Sequence, residues 1–255
     1  MIKDKYQVQG DFESITKISN NPKFPTPSLK IVGFKHEAIK REVEDILKTF
    51  WEYQYPDHWH PILPLLTRQK EIDEISLVCV SPEWRAVAQR FNLTMPQAQI
   101  LKIKRIQNRK LWRLFSFEVD EVKNKVGGVK RVLSLYHGTS NTDPRLIYQS
   151  DEGFNLNYSQ PGMWGRANYF AANSAYSNAE YAYKLPDGSR QMFEAKVNIG
   201  NTVIMNADRN IIEPPLVQNS THRHDSVQGW SQGSDIYMVY ANKKAYPEYL
   251  ITYML

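Results

Sequence analysis

An α+β fold is what this sequence predicts: a curved sheet, mixed or antiparallel, with few helices, and a small α/β segment ahead of it. Two observations carry that reading. From about residue 130 onward the chain breaks into short apolar or alternating runs separated by Gly, Asn and Pro, the pattern of a many-stranded sheet. Near the N-terminus, by contrast, one strand-like run leads straight into apolar residues at helical spacing.

The elements follow in chain order. Met1–Asn21 is mixed and polar, and NPKFPTP (Asn21–Pro27) reads as a turn-rich connector. Leu29–Val32 alternates as a short strand, after which Ile39, Val43, Ile46, Leu47 and Phe50 recur as one helix face. This strand–turn–helix unit loosely resembles half of a KH nucleic-acid module. The Gly-X-X-Gly loop of that module is missing, because Gly33 is followed by Phe34, Lys35 and His36. The alternative is a small supporting α/β piece.

The aromatic, proline-rich stretch from Trp51 to Asp73 holds His58 and His60 at a metal-ligand spacing, but no acid or cysteine cluster joins them. A boundary between Phe50 and Arg68 divides a small N-terminal region, 1–68, from a larger domain, 69–255.

Cys79 is the only cysteine, which excludes an internal disulfide framework. Its apolar neighbours in ISLVCVS place it in a buried strand. A lone thiol indicates reducing surroundings. The polar start MIKDKYQVQG offers no signal peptide, and no apolar run approaches the ~20 residues of a spanning helix. A soluble, intracellular protein, nuclear or cytoplasmic and without a membrane partner, is expected.

Ser81 caps a helix with Pro82 at its first position and Trp84, Val87 and Phe91 facing inward. Ile100, Ile103, Ile106 and Leu111 alternate with charges, as in a strand passing into a helix. VGGVKR is a turn, and VLSLYHG is a buried strand ending on His137. Further strands are expected in ANYFAA, QMFEAKVNIGNTVIM, SDIYMVYA and YLITYML.

The net charge is +5, and Leu101–Arg131 alone holds ten Lys/Arg against three acids. Such a stretch attracts phosphates, on RNA or DNA or on a dinucleotide, unless it is merely a solvated helix face. Neither a Walker sequence nor a Gly-X-Gly-X-X-Gly fingerprint is present, so a nucleotide would need another cradle.

Several blocks in order then carry a resemblance. They are FNLTMPQAQILKIKRIQNRKLW, YHGT, GMWGRANYFAANSAYSNAEYAY, HDSVQG and IYMVYANKKAYPEYLITY. Together, from about Ile75 to Leu255, they resemble the catalytic domain of poly(ADP-ribose)-polymerase-like ADP-ribosyltransferases, most closely the mono-ADP-ribosylating members. The resemblance implies the ADP-ribosyltransferase fold, with sheets curved around an NAD cleft, and NAD as co-substrate. The family's His–Tyr–Glu constellation maps onto His137, Tyr169 and Ile236. Asp235 is adjacent, but strand alternation points it to the opposite face unless a bulge intervenes.

Roles follow from the resemblance. His137 donates a hydrogen bond to the adenine-side ribose, and the backbone of Gly138 pairs with the nicotinamide carboxamide while Thr139 supports the turn. Tyr169 packs on the nicotinamide ring, Ser177 bonds the carboxamide oxygen, and Tyr181 forms the opposite aromatic wall, with Tyr176 and Tyr183 close by in sequence. Ser150–Gly165 is the loop over the donor site, and Arg166 either meets the pyrophosphate or faces solvent. Ala167 and His224 depart from the family's usual glycine and tyrosine.

Isoleucine offers neither charge nor acceptor, so Ile236 argues against polymer formation. The expected activity is mono-ADP-ribosylation of protein Glu or Asp, self-modification included. An NAD- or ADP-ribose-binding module without activity, transfer to nucleic-acid ends, and a structural partner protein are the alternatives.

Overall fold

The computed structural model describes residues 41, 55, 56, 58, 59, 72–125 and 128–255. The chain divides into two units, Met1–Lys70 and Glu71–Leu255. In the first, Trp59 N–H closes a turn onto the Pro56 carbonyl at 2.9 Å, and the Tyr55 and Trp59 rings stack with centroids 5.5 Å apart. The KH-like strand and helix and the His58–His60 pair fall largely outside the described residues. Among the described residues no cluster of His, Cys, Asp or Glu could hold a metal ion, and no helix is long and apolar enough to cross a membrane.

The second unit is a mixed α+β structure organised by one large, mostly antiparallel sheet. Its strands are β1 (Ile72–Ser76), β2 (Gln99–Asn108), β3 (Val132–His137), β4 (Asn168–Ala171), β5 (Tyr183–Lys184), β6 (Arg190–Asn198), β7 (Thr202–Ile204), β8 (Ser226–Ser231), β9 (Ser234–Val239) and β10 (Ala245–Met254). They run in the order β1-β2-β10-β6-β3-β4-β9-β8-β7, with β5 beside β6. Only β7–β8 is parallel; the other described pairs are antiparallel.

Central β10 is buried along nearly its whole length, which explains why YLITYML lacks a clean polar alternation. Leu250 points into one apolar layer with Phe193, Ala195, Val197 and Leu135. Its neighbours Tyr249 and Ile251 point into the other, with Met192 and Tyr136. Period-two geometry therefore gives the sheet two buried faces.

Helix α1 (Pro82–Asn92) covers the second face through Val87, Ala88 and Phe91. Ser81 Oγ caps it, accepting from Trp84 N–H at 3.1 Å, and Pro82 stands at its start where no donor is lost. Helix α2 (Arg109–Asn124) follows β2 without a loop. Asn108 is both the last strand residue and the cap, accepting from Leu111 N–H at 3.0 Å. Trp112 of α2 meets Tyr246 of β10 edge-on at 5.1 Å.

Cys79 departs from its expected burial. Strand β1 ends at Ser76, and the chain turns, Ser81 N–H bonding the Val78 carbonyl at 2.8 Å, to reach the cap of α1. Val78, Cys79 and Val80 are left exposed on that turn. The run ISLVCV is apolar, but the Ser81-Pro82 helix start cuts it short. The native protein should therefore react stoichiometrically with a thiol reagent without denaturant; a thiol masked until unfolding would contradict this placement.

The basic stretch is half neutralised. Lys104, Arg105, Arg109, Lys110 and Lys125 pair with Glu74, Glu83, Asp73, Asp151 and Asp225. Half of its ten cations thus meet acids contributed by other parts of the chain.

Candidate active site

Strands β3 and β4 share a single register pair, Tyr136↔Ala171. Beyond it they splay, and a cleft of about 1100 Å³ opens between their ends. That volume exceeds the roughly 300–1,000 Å³ of small-ligand pockets, leaving room for a dinucleotide. Its wall brings together His137, Gly138, Thr139, Tyr169, Ser177, Tyr181 and Ile236. Arg166 is not among them: it is exposed, one residue before buried Ala167, and outside the lining.

These residues do not share one sheet face. His137 lies on the side of Leu135, its ring meeting Phe154 edge-on at 5.0 Å and Phe170 at 5.2 Å. Tyr169 and Ile236 lie on the other side, packed with Trp164, Ala171 and Met238. The open β3–β4 junction lets both sides reach one cleft.

The His137 Nδ1 lies 2.8 Å from the Tyr169 carbonyl, an oxygen that only accepts. Burial lowers the imidazole's pKa, outweighing the raising effect of that hydrogen bond. The ring is therefore neutral at pH 7, with its proton on Nδ1 and a lone pair on Nε2. Held this way, Nε2 is an acceptor, whereas the resemblance implied a donor at this position.

Gly138 stands just past the last ladder pair, His137↔Phe193. A side chain there would overlap the Tyr181 carbonyl group, so the backbone comes close only because glycine has no Cβ. Thr139 closes a turn, its carbonyl accepting from Thr142 N–H at 2.9 Å. Its Oγ1 is buried without a hydrogen-bond partner among the described residues. An orphaned hydroxyl on a cleft wall fits a polar ligand that would satisfy it.

Tyr169 offers the cleft its ring and spends its hydroxyl elsewhere. That hydroxyl accepts from Trp164 N–H at 2.9 Å and donates to the Gly165 carbonyl at 2.7 Å. It thereby pins the turn at the end of the Ser150–Gly165 loop. Tyr169→Phe should cost about 1–3 kcal/mol of stability, since buried Trp164 N–H loses its acceptor. It should also raise KM for the cleft's ligand more than it lowers kcat. An unchanged melting temperature would contradict the pinning role.

Opposite this turn, the Tyr176 and Tyr181 rings stack at 5.7 Å. Burial first, and Tyr176 second, push the Tyr181 phenol up to about 12. The Tyr181 ring is thus neutral at physiological pH. Ser177 is buried at the cleft wall, on helix α4 (Ser174–Glu180), α3 being the short Arg145–Tyr148 turn.

Ile236 is 1% exposed, and β9 keeps register with β4 and β8 without a shift. Asp235 consequently faces away, accepting from Gln228 Nε2 at 2.9 Å. Ala167 is buried beside Trp164, and its methyl joins the apolar wall. His224 lies outside the lining, with its N–H donating to the Pro215 carbonyl at 3.0 Å.

Sequence reasoning missed Trp164, Tyr240 and Arg209. Trp164 organises the turn: its indole N–H donates to the Met205 carbonyl at 3.1 Å, and its own carbonyl accepts from Tyr240 Oη at 2.7 Å. A tryptophan between the glycines of GMWG was the available signal. Arg209 reaches the cleft from a segment that shows no pattern of its own.

Comparison with known proteins shows the family. The family model of the poly(ADP-ribose) polymerase catalytic domain matches residues 81–225. A "Probable poly(ADP-ribose) polymerase" of Dictyostelium discoideum is 35% identical over 212 residues, covering 78% of this chain and 57% of its own. Protein mono-ADP-ribosyltransferase PARP14 of Homo sapiens is 30% identical over 202 residues, 78% of this chain and 11% of its own. Protein mono-ADP-ribosyltransferase PARP12 of Mus musculus is 28% identical over 246 residues, 95% of this chain and 32% of its own. The chain thus spans between 11% and 57% of the length of these three relatives.

Proposed function

The chain belongs to the poly(ADP-ribose) polymerase catalytic-domain family, whose substrate is NAD, and from there we propose that it transfers single ADP-ribose units to carboxylate side chains of proteins, its own among them, releasing nicotinamide. Residues 69–255 carry the activity in this reading, and 1–68 form a separate small region. The observation that carries it is Ile236. An apolar side chain lines the cleft where the resemblance places a glutamate, while His137, Tyr169 and Ser177 line the same cleft.

Each residue then has a task. Nε2 of His137 accepts a hydrogen bond from a hydroxyl of the adenine-side ribose and fixes that sugar. The Gly138 backbone, Thr139 Oγ1 and Ser177 Oγ supply polar contacts to the carboxamide end, and the Tyr169 and Tyr181 rings flank it. Clamping the leaving amide and excluding water lowers the barrier to cleaving the glycosidic bond, as positive charge grows on the ribose. Ile236 cannot organise the hydroxyl of a second sugar as a nucleophile, so elongation has no support. An acceptor carboxylate brings its own negative charge and needs no base.

The test is incubation of the purified chain with labelled NAD, alone and with mixed cell protein, read by intact mass and gel. Discrete single additions, cleaved by hydroxylamine as esters are, are expected. A polymer ladder would overturn the reading. Saturable NAD binding without transfer would make the cleft a recognition site instead.

A further inference from the structure

Among the described residues, Arg209 is the one lysine or arginine lining the cleft. The two acids on the same lining are already engaged: Asp151 pairs with Lys110 at 2.6 Å, and Glu152 accepts from Asn242 Nδ2 at 3.1 Å. Arg209 is exposed and makes no ion pair among the described residues. Nearby Arg223, by contrast, is held by Glu213 at 2.6 Å and by the Pro214 carbonyl at 2.9 Å.

Its segment is anchored on both sides. Upstream, the Met205 carbonyl takes the Trp164 indole N–H at 3.1 Å. Around it, Asp208 closes a turn, Oδ1 accepting from Asn210 N–H at 2.9 Å. Downstream, Ile211 is 9% exposed and belongs to the apolar cluster that also holds Trp164 and Ile236. The Ile211 carbonyl lies so close to Gly165, at φ +70°, that any side chain there would collide with it. Arg209 thus sits two residues from a fixed point, on the Ile236 side of the cleft.

We propose that Arg209 is a specificity-determining residue that holds the carboxylate of the acceptor protein. This rests on the mono-transfer reading above and deepens it by assigning the acceptor subsite. A guanidinium binds a carboxylate with two parallel N–H donors, which orients it as well as attracting it. In the transfer itself, the bond between the ribose anomeric carbon and the pyridinium nitrogen breaks, and its electron pair leaves with neutral nicotinamide. One carboxylate oxygen donates a lone pair to the same carbon and forms the ester. No proton moves, so the wall around Ile236 needs a cation to place the anion and no base to activate it. A second anion, the NAD pyrophosphate, shares the same chemistry, and the experiment separates the two.

The full chain and its Arg209→Ala, Arg209→Lys and Arg209→Glu variants are assayed with a synthetic peptide carrying one glutamate, and with its glutamine counterpart. Affinity for NAD is measured in parallel by calorimetry. Alanine should raise KM for the glutamate peptide about 10-fold, the loss of a two-donor contact that is weakened by its exposure to solvent. It should leave kcat and NAD affinity without measurable change. Lysine should restore part of the loss, and glutamate should deepen it. Equal KM values for wild type and alanine would overturn the proposal while leaving mono-transfer intact. A matching loss of NAD affinity would reassign Arg209 to the pyrophosphate. No transfer by the wild-type chain to any carboxylate would overturn both readings.

Discussion

Replacing Gly138 with alanine should abolish NAD binding. The new methyl would overlap the carbonyl of Tyr181, a backbone group with no side-chain torsion to yield. That carbonyl is held from its other side as well, since it accepts from Ser140 N–H at 2.6 Å. Ser140 itself stands at φ 52°, a conformation few non-glycine residues adopt, so the turn is already committed. Relief must come from moving the end of β3 away from the end of α4, and those two elements carry His137 and Ser177. Overpacking of this kind costs about 1–3 kcal/mol in stability. The larger loss is in binding, because the polar contacts of the cleft no longer converge. Calorimetry should show no saturable NAD binding, with the melting temperature lowered by a few degrees. Wild-type affinity in the folded variant would show that the end of β3 is not the floor of the donor site.

The second large effect is at His137. Alanine removes the only imidazole on the cleft wall among the described residues and leaves a void between Phe154 and Phe170. Transfer should fall by about 10²-fold, the penalty for a donor whose adenine-side ribose is no longer held and whose reacting end is misplaced as a result. Glutamine, which keeps an acceptor and fills more of the void, should retain more stability but recover little activity.

The acid limb of stability gives an independent test. Burial sets the folded pKa of His137 below its ordinary value of 6.5, so the unfolded chain takes up the proton first as pH falls. This residue's contribution is complete above 6.5, declines as pH drops below it, and continues to decline until the folded state protonates. Wild-type melting temperature should therefore fall more steeply below pH 6.5 than that of His137→Gln. Parallel curves for the two proteins would mean that the imidazole is not held neutral. Protonation would also convert Nε2 from acceptor to donor, so transfer should weaken over the same acid range.

Much of the site was legible because its residues sit at the ends of strongly patterned elements. VLSLYHG announces a strand that ends on His137, and period two alone turns Ile236 inward and Asp235 outward in SDIYMV. The polarity of His137 was not legible. It depends on the carbonyl of Tyr169, 32 residues away, which only tertiary packing brings to Nδ1. Arg166 and Arg209 show the same limit. Arg166 is next to a recognisable block, yet one step along the backbone turns it to solvent. Arg209 lies in an unpatterned loop, and its place on the cleft comes from Trp164 and Ile211. Cys79 failed for a local reason: an apolar run says that a strand can form, and a helix cap five residues after Ser76 decides where it must stop.

The sequence by itself determined the α+β class, the order of the strands along the chain, the family blocks and the identities of His137, Tyr169 and Ile236. The class and the strands depend on residue type and on spacing within a single element, where backbone geometry fixes the period; the three site residues follow from the family resemblance. Tertiary structure alone decided that β3 and β4 part after one pair, so that residues on opposite faces of the sheet line one cleft. It also decided which cation reaches that cleft and which nitrogen of His137 carries the proton. The physical reason is common to all three: each depends on packing and hydrogen bonds between segments far apart in the chain, and no local period encodes them.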